Sequence, residues 1–112
     1  MVKVVETKAE FDEIMKCGKV VVVDFSADWC GPCKMIAPKF AAIAEENPDI
    51  VFIKVDVDQN ADTASACSIN CMPTFQIFVD GKRVEQLEGA NENKLRELVA
   101  KYKGGNQSQK QL

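Results

Sequence analysis

The sequence predicts an α/β domain in which a mixed sheet is covered by helices on both faces. Two short runs, Val20-Val21-Val22-Val23-Asp24-Phe25 and Ile50-Val51-Phe52-Ile53-Lys54-Val55, are almost wholly apolar and β-branched, as strands buried on both faces must be. A stretch of helical periodicity separates them. Later, Phe75, Ile77 and Val79 alternate and Asp80-Gly81 supplies a hairpin turn, so the last two strands run antiparallel.

Each element has its own local reason. Val2-Lys3-Val4-Val5 alternates weakly and forms a short first strand. Thr7 and Glu10 have capping-box spacing and open a helix with Phe11, Ile14 and Met15 on its buried face; Gly18 ends it. After the second strand a long helix runs from about Pro32 to Glu46, with Ile36, Phe40, Ile43 and Ala44 at helical spacing. Pro38 inside it removes one backbone hydrogen bond and should kink it, and Asn47-Pro48 stops it. A short helix from about Asn60 to Cys67 is kept close-packed by Ala61, Ala64 and Ala66. Arg83 to Glu88 forms the returning edge strand. Asn91 then caps a helix whose Leu95, Leu98, Val99 and Tyr102 make an apolar stripe that belongs in a core. Gly104-Gly105 ends that helix, so the domain covers residues 1–103. Residues 104–112 are expected to form a frayed polar tail.

Composition narrows the chemistry. With 112 residues, 46% of them hydrophobic, there is one core and no room for a separate cofactor domain. A net charge of −3 with mixed signs argues against nucleic acid. No apolar run is long enough for a bilayer and no leader pattern precedes the first strand, so the expected location is the cytoplasm. Five cysteines, an odd number, suit a reducing compartment better than a disulfide scaffold. The absence of histidine removes Ser-His and Cys-His catalytic pairs and imidazole zinc sites. Any proton transfer falls to a carboxylate, a lysine or water.

The stretch Ala27-Asp28-Trp29-Cys30-Gly31-Pro32-Cys33-Lys34 joins the second strand to the long helix. Two cysteines separated by two residues at a strand-to-helix junction form a redox motif. Cys30 falls just before the first turn, where unpaired N–H groups and the helix dipole favour a thiolate, which makes it the expected nucleophile. Pro32 fits the first turn, and Gly31 keeps bulk away from the sulfur. Cys33 is expected to be the more covered thiol, waiting to resolve a mixed disulfide on Cys30. Asp24 interrupts a run of valines six positions before Cys30; it either marks a solvated strand end or is a buried carboxylate serving Cys33 as proton acceptor. Lys54 is the sole charge in its strand: it either snorkels to the edge or lies beside Asp24 and partly compensates it. Asp56-Val57-Asp58 reads as solvated residues at a strand end, because the calcium-loop pattern is not completed.

The segment Trp29-Cys30-Gly31-Pro32-Cys33 resembles the active site of the thioredoxin family, with Lys34 and Pro38 in keeping. Val22-Val23-Asp24-Phe25, Val55-Asp56-Val57-Asp58, Met72-Pro73-Thr74-Phe75 and Gly89-Ala90 resemble the family's other landmarks in order, and the likeness covers about Val2 to Lys103. The resemblance implies the thioredoxin fold, a five-stranded mixed sheet flanked by four helices in the order βαβαβαββα. It implies a protein-disulfide reductase in which Cys30 and Cys33 form the redox disulfide and Asp24 is a buried carboxylate that manages the proton. Met72-Pro73 would be cis, against the ordinary preference of an X-Pro bond, and the Met72 backbone would pair with an extended substrate. Trp29, Gly31, Pro32, Met72, Pro73, Gly89 and Ala90 would form the contact surface. No bound cofactor and no metal are implied. Electrons would come from NADPH through a thioredoxin reductase, and recipients would include peroxiredoxins, methionine sulfoxide reductases and ribonucleotide reductase. The chain would be a monomer, with Cys71 as a regulatory residue able to link a dimer.

The remaining cysteines leave alternatives. Cys17 beside Gly18 reads as an inert small residue, and Cys67 as buried and inert, while Cys71, next to Met72, is expected to be exposed and oxidisable. A Cys67–Cys71 disulfide requires a bend that meets the geometric limits. A zinc site from Cys30, Cys33, Cys67 and Cys71 is the competing reading of the same thiols. A redox-gated binding protein, whose partner reads the dithiol state without exchange, is a third.

Overall fold

The computed structural model describes residues 1–103; the expectation for the tail at 104–112 lies outside the described residues. Five strands and four helices follow in the expected order: β1 (Val2–Val4), α1 (Lys8–Ile14), β2 (Val21–Ser26), α2 (Gly31–Glu46), β3 (Val51–Asp56), α3 (Ala61–Ala66), β4 (Thr74–Val79), β5 (Lys82–Glu88) and α4 (Glu92–Ala100). The strands lie in the order β1-β3-β2-β4-β5. β1 and β2 pair with β3 in parallel, whereas β4 runs antiparallel to both β2 and β5. β2 is therefore central, and all six of its residues are buried.

Alternation along β2 divides the core. Val20 and Val22 point to one face, where they pack with Phe40, Ile43, Phe52, Phe75 and Leu95 under α2 and α4. Val21, Val23 and Phe25 point to the other, with Phe11, Ile53, Val55 and Phe78. Edge-to-face contacts between Phe40 and Phe52, and between Phe11 and Phe78, lock each layer.

The caps form as the side chains dictate, with small departures. Thr7 accepts the Glu10 N–H at 3.1 Å, but the Glu10 carboxylate reaches back to the Glu6 N–H rather than to Thr7. Of the expected buried face of α1 only Phe11 is fully buried; Ile14 and Met15 are half-buried at the end of a helix of seven residues. Pro38 is accommodated within α2. Asp80 and Gly81 both take positive φ, +54° and +78°, the geometry that lets a two-residue hairpin follow the strand twist. α4 ends at Ala100, before the glycines expected to stop it, and a turn continues to Lys103.

Candidate active site

The site is built where β2 ends and α2 begins. Cys30 is the N-cap of α2: its backbone is extended (φ −90°, ψ 110°) and its Sγ accepts the N–H of Cys33 at 3.2 Å. Pro32 occupies the first turn, where its missing N–H is not needed. Cys30 and Cys33 are joined in a disulfide with their Cα atoms 5.3 Å apart. Both are almost equally buried, so the expected greater cover of Cys33 is not a feature of this oxidised state. They pack with Ala27, and Val57 and Met72 lean on them.

Around the sulfurs the surface is open. A Cβ on Gly31 would meet no atom within 4 Å, so glycine here leaves room for an approaching partner rather than relieving an internal clash. Trp29 is 68% exposed, yet its indole Nε1 donates to Asp58 Oδ2 at 2.8 Å, which fixes an apolar ring beside the disulfide. The Met72-Pro73 bond is cis. The Gly89 N–H donates to the Pro73 carbonyl at 2.8 Å, with Gly89 at φ +102°, a conformation that a residue bearing a Cβ rarely adopts. Ala90 follows, exposed. Trp29 thus precedes α2, Gly31 and Pro32 open it, and Met72-Pro73 meets the disulfide through Met72 and is tied to Gly89-Ala90 through the Gly89–Pro73 hydrogen bond.

Asp24 is 1% exposed, which removes the reading as a solvated strand end. By strand alternation it shares the α2 side of the sheet with Val20 and Val22. Its Oδ1 has no hydrogen-bond partner. Burial raises its pKa from 3.8 to about 7, and the positive charge of Lys54 pulls it part of the way back. Lys54 is the direct register partner of Asp24 across β2 and β3, without an ion pair within 4 Å. Half-buried, it lines a cavity of about 300 Å3 together with Asp28 and Asp56. Ser26, two residues along from Asp24 and 3% exposed, also has an unpaired hydroxyl.

Three residues escaped the sequence reading. Asp58 is not merely solvated but holds Trp29, and no local rule links residues 29 apart. Asp56 accepts the N–H groups of Asp58 and Gln59 and so shapes that loop. Asn60, 3% exposed, caps α3 through Thr63 N and reaches the Val5 carbonyl at 3.2 Å.

The other cysteines are single thiols: Cys17 and Cys71 are exposed, and Cys67 is half-buried rather than buried, with burial pushing its pKa up. Cys67 and Cys71 are not bonded to each other. Among the described residues no three His, Cys, Asp or Glu side chains are grouped to hold a metal ion. No helix there is long and apolar enough to cross a membrane.

A disulfide at the N-terminus of a helix, with a buried carboxylate on the strand that leads into it, is the arrangement of a dithiol–disulfide oxidoreductase. The family model for thioredoxin matches residues 2–101. Thioredoxin of Ophiophagus hannah is 51% identical over 104 residues, covering 91% of this chain and 99% of that protein. Human thioredoxin is 48% identical over 101 residues, covering 88% and 96%. Among solved structures, Fasciola hepatica thioredoxin superposes with a TM-score of 0.86 at 48% identity, covering 88% of this chain and 97% of that one. The chain belongs to the thioredoxin family. It is a protein-disulfide reductase whose substrates are disulfide-containing proteins, and the family works without a bound cofactor.

Proposed function

We propose that Cys30 attacks and Cys33 resolves, with Asp24 as the proton acceptor. The Cys30 thiolate displaces one sulfur of a substrate disulfide, giving a mixed disulfide and one substrate thiolate, which takes a proton from solvent. Cys33 then gives its proton to the Asp24 carboxylate and attacks the Cys30 sulfur. The second substrate thiolate leaves, and two electrons have passed to the substrate as the Cys30–Cys33 disulfide forms. The N-cap position of Cys30 supports its role as the stabilised thiolate. A carboxylate with a pKa of about 7, held on the α2 side of the sheet, is half ionised at neutral pH and so can both take and release a proton. The positive charge of Lys54, on the neighbouring strand, lowers the pKa of that carboxylate and so modulates it.

Trp29, Gly31, Pro32 and Met72 to Pro73, with Gly89 and Ala90, form the surface that receives an extended substrate, whose backbone pairs with that of Met72. The two electrons are restored from NADPH by a thioredoxin reductase. Peroxiredoxins, methionine sulfoxide reductases and ribonucleotide reductase are the recipients the family resemblance supports, in the cytoplasm, with the chain as a monomer. Cys71 is exposed and precedes Met72 in sequence, which supports the reading that its oxidation blocks that surface or links two copies.

The observation that carries the catalytic assignment is the Cys30 N-cap. Reduction of insulin by dithiothreitol, followed by turbidity, tests it. Cys30→Ser is expected to abolish catalysis; catalysis retained in that variant overturns the assignment.

A further inference from the structure

Between α2 and the start of α4 lies a cavity of about 160 Å3, lined by Met35, Ile36, Lys39, Ala90 and Glu92. It continues the redox surface. Met35 is two residues beyond Cys33 on the same helix, and Ala90 follows Gly89, which is hydrogen-bonded to Pro73. Ile36 is 3% exposed and closes the floor as part of the core, whereas Met35 is 75% exposed. The core does not require an apolar residue at Met35, so its thioether presents adaptable apolar surface to something outside the fold.

The rim is charged. Lys39 lies 3.8 Å from one carboxylate oxygen of Glu92, whose other oxygen accepts from Arg96 at 2.9 Å, and Arg96 also donates to Glu46 at 2.6 Å, so these four charges balance. Lys34, exposed on the same helix, is in no ion pair among the described residues. The positive charge left over at this corner is therefore that of Lys34, on a chain whose net charge is −3.

We propose that this cavity is a side-chain subsite of the substrate groove. It takes one aliphatic side chain of the polypeptide being reduced and favours a carboxylate beside it, which meets Lys34. The proposal rests on the protein-disulfide reductase reading and deepens it. The size fits, since a cavity of about 150 Å3 admits a benzene ring, and one leucine or methionine side chain is of that order. Met35, Ile36 and Lys39 on α2 supply most of the lining, with Ala90 and Glu92 closing it from the start of α4.

The test uses short alanine-based peptides whose single cysteine is held in a mixed disulfide with 2-nitro-5-thiobenzoate, with a Leu-Glu pair walked through successive positions on both sides of the cysteine. Release of the coloured thiol by the reduced protein gives kcat/KM for each peptide. One placement is expected to react about tenfold faster than the all-alanine peptide, the lower end of what a hydrophobic pocket discriminates. Replacing the glutamate of that pair by lysine should lower the preference. Met35→Glu is expected to bring the ratio close to one, and Met35→Leu to keep it. Because the ratio compares two peptides in the same variant, partial unfolding cannot imitate the result. The subsite is overturned if no placement is preferred, or if the preference survives Met35→Glu. Reduction of none of the peptides overturns the reductase reading itself.

Discussion

Asp24 should make the folded protein less stable as the pH rises, and Asp24→Asn should remove that loss. Its pKa rises from 3.8 to about 7 on folding, because a carboxylate 1% exposed with an unpaired oxygen is poorly solvated when ionised. Between those two values the folded chain keeps a proton that the unfolded chain has lost, so unfolding becomes easier with each unit of pH. Below pH 3.8 both states are protonated and the effect vanishes; above pH 7 both are ionised and it is complete. The interval of roughly three units corresponds to about 4 kcal/mol at 1.36 kcal/mol per unit. Asparagine has nearly the same shape and does not titrate, and whatever its amide costs in the same pocket does not change with pH. Urea unfolding of both proteins with the Cys30–Cys33 disulfide intact, at pH 4 and pH 8, should therefore show the stability gap moving by about 4 kcal/mol in favour of the variant at pH 8. A gap constant within about half a kcal/mol would refute the buried-carboxylate argument.

Two further outcomes follow from the geometry. Cys33→Ser should accumulate a covalent adduct with an insulin chain through Cys30, visible on a non-reducing gel, because no thiol remains to displace the substrate; adduct that disappears without added thiol would show another group resolving it. Asn60→Ala removes both the α3 cap and the bond to the Val5 carbonyl in a buried place, and should cost about 2 kcal/mol in chemical denaturation; a loss under about half a kcal/mol would mean that water takes over both groups.

Most of the fold was legible because its signals are local. Valine runs announce β2 and β3, and Thr7 and Asn91 announce helix starts through side-chain bonds three residues long. The disulfide site was legible for the same reason: Cys30, Pro32 and Cys33 lie in one turn and need no tertiary contact to be recognised. What was not legible depends on elements meeting. Asp58 is near in space to Trp29 only because β3 lies beside β2, so a strand-end acid became an indole acceptor. Nothing in the valine run decided whether Asp24 sees water; the helix laid across its face does. Cys67 follows the same logic, left half-covered because α3 ends one residue before it.

A carboxylate that weakens the fold at neutral pH needs a reason to be there, and the arrangement supplies one. The packing that makes Asp24 costly is the packing of α2 on the sheet, which also sets Cys30 at the helix end where a thiolate is favoured. The same pair of elements thus raises the proton affinity of Asp24 by burial and holds Cys30 at a helix N-terminus, where a thiolate is favoured. In the roles proposed above, Cys30 attacks as the thiolate and Asp24, its pKa raised to about 7, takes the proton of the second thiol. If the role proposed for Asp24 holds, no substitution there can gain the stability and keep the rate: Asp24→Asn should be more stable at pH 8 and slower in the resolving step, with attack by Cys30 little changed. Slowing of attack and resolution alike would instead mean that Asp24 acts through the shape of the site rather than through its proton.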